Sequence, residues 1–164
     1  MIEQLDRLAV ELGQRLQATG LMLATAESCT GGWMAKVITD IPGSSVWFDR
    51  GFVTYSDQAK QEMLGVPATT LADHGTVSEE VARAMAQGAL GHSRADVAVA
   101  ITGIAGPGGG TQDKPVGTLC FAWMLAGQDP LTRRMRLAGN REEIRRQSVR
   151  LALESLLELL QDGD

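Results

Sequence analysis

Residues 26–32 read AESCTGG and set a hydroxyl and a thiol, Ser28 and Cys29, side by side in front of two glycines. The apolar run LMLAT leads into them and the helix-like segment GGWMAKVIT follows. A serine on such a strand-to-helix turn has two advantages as a nucleophile. Its Oγ projects from the sheet rim, and backbone N–H groups of the new helix can face an oxyanion. A cysteine beside a helix N-terminus has its own claim, because that position depresses a thiol pKa. At this level the stretch supports a working hydroxyl, a working thiol or merely a tight corner. It is not GxSxG, so the α/β-hydrolase elbow is not the template.

A serine nucleophile needs a base, and the only histidines are His74 and His92. His92 follows ALG near a helix end, where a cation suits the dipole, so structure alone accounts for it. The other candidate lies in YSDQAK, with Tyr55 at a strand end and Lys60 on a short helix. A neutral lysine accepts a serine proton once its pKa falls from about 10.4 toward about 7–8, a change of about 4 kcal/mol that burial can supply. The plainer reading is a solvent-facing helix lysine. The Tyr-x4-Lys spacing misses the Tyr-x3-Lys of short-chain dehydrogenases, and no GxGxxG opens the chain.

A second loop, TGIAGPGGG, suits an anion, since consecutive glycines let backbone N–H groups approach a phosphate or carboxylate closely. It lacks the GK[ST] ending of an ATP-binding loop, and composition alone reads equally as a flexible connector. Thr102 at the preceding strand end offers a hydroxyl to the same rim, and Arg141, just before the last helix, offers a phosphate partner.

Behind these residues stands a chain of 164, with 44% apolar and 21% charged side chains, enough for one full core. A net charge of −5 argues against a nucleic-acid surface, and the basic cluster RRMR with REEIRR is interrupted by Glu142 and Glu143. No apolar run approaches bilayer length, so no membrane partner is expected. Two cysteines, Cys29 and Cys120, point to a reducing, cytoplasmic setting. Without CxxC or HxxxH no metal site is expected.

The elements follow from periodicity. Leu5, Leu8, Ala9, Leu12 and Leu16 predict a helix over 3–18, closed by Gly20. LMLATA predicts a buried strand, residues 30–39 a helix, and VWFDRGFVTY a strand with a bulge at Gly51. DQAKQEMLG predicts a short helix, and Ser78 caps another that runs to Gly91. DVAVAIT and VGTLCFAWML predict buried strands, LTRRMRL an edge strand, and the segment around Ile144, Ser148, Leu151, Ala152, Ser155 and Leu159 a final helix. Alternating helices and buried strands give an α/β class, with ligands at the carboxyl ends of the strands. If the strands before AESCTGG and GIAGPGGG are parallel neighbours, both loops share one rim.

AESCTGG, ITDIPGSS, GFVTYSDQAK, HGTVSEEVARAMAQGA and ITGIAGPGGG with KPVG, in that order, resemble the CinA C-terminal domain family. The resemblance spans nearly the whole chain. It implies a single domain over 1–164, a three-layer α/β/α sandwich with a mixed, mainly parallel central sheet, and no room for the N-terminal domain of longer members. It also implies a homodimeric Ser-Lys amidohydrolase, free of cofactors, that converts nicotinamide mononucleotide (NMN) to nicotinate mononucleotide and ammonia. The nucleophile falls on Ser28, the base on Lys60, and Tyr55 beside them. Substrate contacts fall on Thr30 and Gly31 after the nucleophile, Ser45 in PGSS, Thr102, Gly103 and Arg141, with Arg145 the neighbouring alternative. Two rivals stay open: Cys29 as the nucleophile, and a binding module that performs no chemistry.

Overall fold

Residues 2–162 are described in this computed structural model. Among the described residues are α1 (Ile2–Thr19), β1 (Leu23–Glu27), α2 (Trp33–Thr39), β2 (Phe48–Val53), α3 (Asp57–Leu64), α4 (Ala68–His74), α5 (Glu79–Gly91), β3 (Val97–Gly103), β4 (Thr118–Leu125), β5 (Leu131–Arg136) and α6 (Arg141–Asp162). The strands make one sheet in the order β2-β1-β3-β4-β5.

β1 pairs in parallel with both β2 and β3, whereas β4 pairs antiparallel with β3 and β5. The sheet is therefore mixed, with four strands running in one direction and β4 alone reversed between β3 and β5. An apolar run such as that of β4 reports that both faces are covered, and burial does not set strand direction.

The continuous apolar runs resolve into a large-small alternation. In β3, Val97, Val99 and Ile101 enter a core with α1, α2 and α6, while Ala98 and Ala100 face α5. β1 does the same, with Ala24 and Ala26 on the α5 side. Alanine on that face, met by Ala82, Ala86 and Ala89 of α5, lets the helix settle close to the sheet. α3 then packs on α5 at Gly88, where a Cβ would stand 2.0 Å from the Leu64 carbonyl oxygen. A side chain there would push α3, and Lys60 with it, away from the strand ends.

Some local expectations shift. α2 begins three residues after Thr30, because Gly31 and Gly32 take φ of 59° and 98°, a left-handed pair that turns the chain before the helix starts. Val46 belongs to a 3-10 turn, Ser44–Val46, and β2 starts after it. The irregularity in β2 falls at Asp49, not Gly51, since Leu23 and Ala24 pair with Phe48 and Arg50. α4 is an addition: its seven residues are too few to show a helical period. Arg141 is the first residue of α6 rather than a loop residue before it.

Candidate active site

β1 and β3 are adjacent and parallel, so the loops that follow them do share one rim. The ladder continues one residue past β1, with the Ser28 N–H donating to the Ile101 carbonyl at 3.0 Å. Strand alternation then sends Ser28 to the same face as Ala24 and Ala26, and Cys29 to the other, where it joins the core beneath α6. On the opposite edge of β1, the Thr54 N–H donates to the Glu27 carbonyl at 2.8 Å, which brings the end of β2 alongside. Ser56 caps α3 by accepting from the Ala59 N–H, and the first turn of that helix carries Lys60 back over Thr54 and Tyr55.

Lys60 is only 1% exposed. Its Nζ stands 3.0 Å from Ser28 Oγ, 3.0 Å from the Thr54 carbonyl and 3.2 Å from the Tyr55 carbonyl. Burial pushes its pKa below the ordinary lysine value, while the nearby Asp57 carboxylate pulls weakly the other way. No carboxylate touches the amine among the described residues. A neutral amine has two N–H bonds and one lone pair. In that form, with the two carbonyls taking the N–H bonds, the lone pair would face the Ser28 hydroxyl, whose other neighbour is the Tyr55 carbonyl at 3.4 Å.

Cys29 lacks any such activation. Burial pushes its thiol up to about 12, so the thiolate is scarce near neutral pH. Cys120 is likewise buried and raised to about 11. His92 does what its position suggested, its Nδ1 lying 2.8 Å from the Gly88 carbonyl at the end of α5.

In front of Ser28 opens a cleft of about 330 Å³. Its walls include Tyr55, Thr102, Gly103 and Arg141, so these expected site residues come together around the hydroxyl, with Gly106 of the glycine loop beside them. Thr102 donates to the Thr76 carbonyl at 2.9 Å and is buried, which makes it a wall rather than a free hydroxyl. Tyr55 divides its roles. Its carbonyl serves Lys60, while its ring is 63% exposed at the mouth, with the phenol oxygen 3.3 Å from the Arg141 guanidinium. Arg141 also donates to the Gly106 carbonyl at 2.8 Å and so spans from the glycine loop to the tyrosine.

Three expected contacts lie elsewhere in this chain. Ser45 is exposed on the 3-10 turn, whose neighbour Trp47 accepts from the Leu23 N–H at the amino end of β1. That is the far end of the strand from Ser28. The Thr30 hydroxyl donates to Glu27 Oε1 at 2.7 Å, and the Gly31 N–H donates to the Ser28 carbonyl at 3.0 Å. Both residues build the corner and border a neighbouring hollow with Trp33 and Arg145, with no side-chain atom in the wall of the cleft.

Sequence reasoning missed Glu27. Its carboxylate is 1% exposed and accepts from Thr30 Oγ1, the Met34 N–H (2.9 Å) and the Ala35 N–H (3.1 Å). It therefore occupies the first turn of α2, where an anion is favoured and buried N–H groups need acceptors. The signal was an acid at the end of an otherwise apolar run. Among the described residues no group of histidine, cysteine and carboxylate side chains is arranged to hold a metal, and no helix is long and apolar enough to cross a membrane.

The CinA C-terminal domain profile matches residues 5–160. The chain is 56% identical over 153 residues to the nicotinamide-nucleotide amidohydrolase PncC of Escherichia coli strain K12, covering 93% of each. It is also 56% identical over 144 residues to a CinA-like protein of a Mycobacterium species (strain MCS), covering 88% of this chain and 34% of that one. Among solved structures, the competence/damage inducible protein CihA of Agrobacterium tumefaciens superposes with a TM-score of 0.93 at 49% identity, over 95% of each chain.

Proposed function

The chain belongs to the CinA C-terminal domain family, and we propose that it is a nicotinamide-nucleotide amidohydrolase that converts NMN and water to nicotinate mononucleotide and ammonia. The observation that carries this reading is the buried Lys60 amine 3.0 Å from Ser28 Oγ, in a cleft large enough for a nucleotide. The high identity to an enzyme named for that reaction supports the choice of substrate.

In this mechanism neutral Lys60 takes the Ser28 proton as Oγ attacks the carboxamide carbon. The carbonyl π pair moves onto oxygen, and backbone N–H groups after Ser28 hold the resulting oxyanion. Protonated Lys60 then gives its proton to the amide nitrogen, the C–N bond breaks, and ammonia leaves an ester on Ser28. Water attacks that ester with Lys60 again as base, the C–O bond to Ser28 breaks as Lys60 returns the proton to Oγ, and nicotinate mononucleotide departs. The pyridinium charge draws electrons from the carbonyl and lowers the barrier to both attacks. Arg141 and the glycine loop grip the 5′-phosphate, which favours the mononucleotide over free nicotinamide.

The rival with Cys29 as the nucleophile fares worse, because Cys29 packs in the core and its pKa is raised. The amidohydrolase reading with Ser28 as nucleophile also carries a cytoplasmic homodimer that needs no cofactor. The deciding assay is ammonia release from NMN by the purified protein, with nicotinate mononucleotide identified as the other product. A nucleotide-dependent rise in melting temperature without ammonia would instead indicate a binding module.

A further inference from the structure

Arg145 lies on α6, one helical turn beyond Arg141, and it does not line the cleft. Its Nε donates to the Cys29 carbonyl at 2.9 Å and a terminal nitrogen donates to the Thr30 carbonyl at 3.1 Å. The guanidinium also stands 5.5 Å from the centroid of the Trp33 ring. It has no carboxylate partner among the described residues. The planar fork of an arginine matches two successive carbonyls in a way a lysine ammonium does not.

The consequence follows from peptide geometry. In a planar trans peptide the C=O and the following N–H point in opposite directions. Arg145 reaches the corner from α6, whereas Lys60 reaches Ser28 from α3, and these helices cover opposite faces of the sheet. Drawing the Cys29 carbonyl toward α6 turns the Thr30 N–H toward the side where Ser28 meets Lys60. The next peptide is closed, because the Gly31 N–H already donates to the Ser28 carbonyl. The Thr30 N–H has no acceptor among the described residues, although Thr30 is fully buried. A buried N–H without an acceptor is rare and needs an explanation.

We propose that Arg145 is a positioning residue for the reaction: it sets the Cys29–Thr30 peptide so that the Thr30 N–H serves as an oxyanion donor beside Ser28. The proposal rests on the amidohydrolase reading and adds to it which peptide supplies the donor and which side chain holds that peptide. Glu27 secures the same corner from the other direction by accepting from the Thr30 hydroxyl. It shares the anchoring, but it does not set the plane of that peptide.

The test compares Arg145→Ala and Arg145→Lys with the parent on NMN, together with crystal structures of both variants. Loss of one oxyanion donor lowers kcat by about 100- to 1,000-fold, so Arg145→Ala is expected within that range with KM changed by less than about threefold. Arg145→Lys, able to hold one carbonyl, falls between. Methylguanidinium restores part of the Arg145→Ala rate, and the acid limb of the pH profile stays where it was because Lys60 is untouched. The variant structures show the Cys29–Thr30 peptide rotated. A rise in KM at unchanged kcat would make Arg145 a substrate contact and overturn the proposal. A Cys29–Thr30 peptide that keeps its orientation in Arg145→Ala overturns it as well, whatever the parent does to NMN. If the parent releases no ammonia, the functional reading fails separately, and the crystal structures still decide the role of Arg145.

Discussion

Lys60 Nζ and Ser28 Oγ stand 3.0 Å apart although 32 positions separate them in the chain. Two extensions of the sheet ladder produce this meeting: Ser28 N–H to Ile101 on one side and Thr54 N–H to Glu27 on the other. Neither residue is placed by its own helix or strand alone.

The proposed role of Ser28 as nucleophile rests on this contact. Ser28→Ala is expected to lower kcat on NMN by roughly 1,000-fold or more, as loss of a nucleophile acting with its base does. Cys29→Ala should stay within roughly threefold of the parent, provided the smaller side chain is tolerated in the core. Loss confined to the cysteine variant would reverse the assignment.

A lysine that works as a base must be neutral, so activity falls on the acid side as Lys60 takes up a proton. Burial has lowered its pKa, which moves that limb below the range of a free lysine. Lys60→Arg places a permanent cation where a neutral amine is needed, and is expected to be inactive across the range. An active arginine variant would exclude proton transfer by residue 60.

The same shift couples to stability. In the unfolded chain Lys60 holds its proton up to about pH 10.4, whereas the folded chain releases it at lower pH. Between those values the unfolded state binds more protons, so stability rises with pH; below the folded pKa the penalty is constant. The melting temperature of the parent relative to Lys60→Met is therefore expected to climb with pH on the alkaline side, up to the unfolded-state value of about 10.4. A difference that stays flat would mean the amine is not desolvated.

Glu27 holds three donors at the start of α2. Glu27→Ala leaves them without an acceptor in a buried site, and a loss of roughly 3 kcal/mol in unfolding free energy is expected by denaturant titration. Glu27→Gln keeps part of the arrangement and should fall between. An alanine variant as stable as the parent would show that water or a shifted backbone replaces the carboxylate.

Arg141 spans the cleft mouth from Gly106 to Tyr55. If it grips the 5′-phosphate, Arg141→Ala raises KM for NMN by roughly tenfold or more, in line with one lost charge-assisted contact, and leaves turnover of free nicotinamide nearly unchanged. Equal losses on both substrates would place its role at the reacting carbon instead. Steady-state kinetics on NMN, the riboside and free nicotinamide separate these outcomes.

What the chain states locally was legible without coordinates. The cap at Ser78, the glycine corner after Ser28 and the apolar runs of β1, β3 and β4 depend on neighbours a few residues away, and the structure has them where the sequence puts them. The SCTGG and YSDQAK segments pointed to Ser28 and Lys60, although their meeting rested on a resemblance and not on spacing. Tertiary structure decided the rest. Strand order made the two loops neighbours, and the alanine face with Gly88 let α3 come close enough to deliver the amine. The long crossing of α6 assigned Arg141 to the cleft and Arg145 to the carbonyls behind it, four residues apart on one helix. Ser45, polar and near in sequence, lies by the amino end of β1, away from Ser28 of the same chain. A residue type states what a side chain can do, while the packing of distant segments sets which atom it reaches and whether water stays beside it.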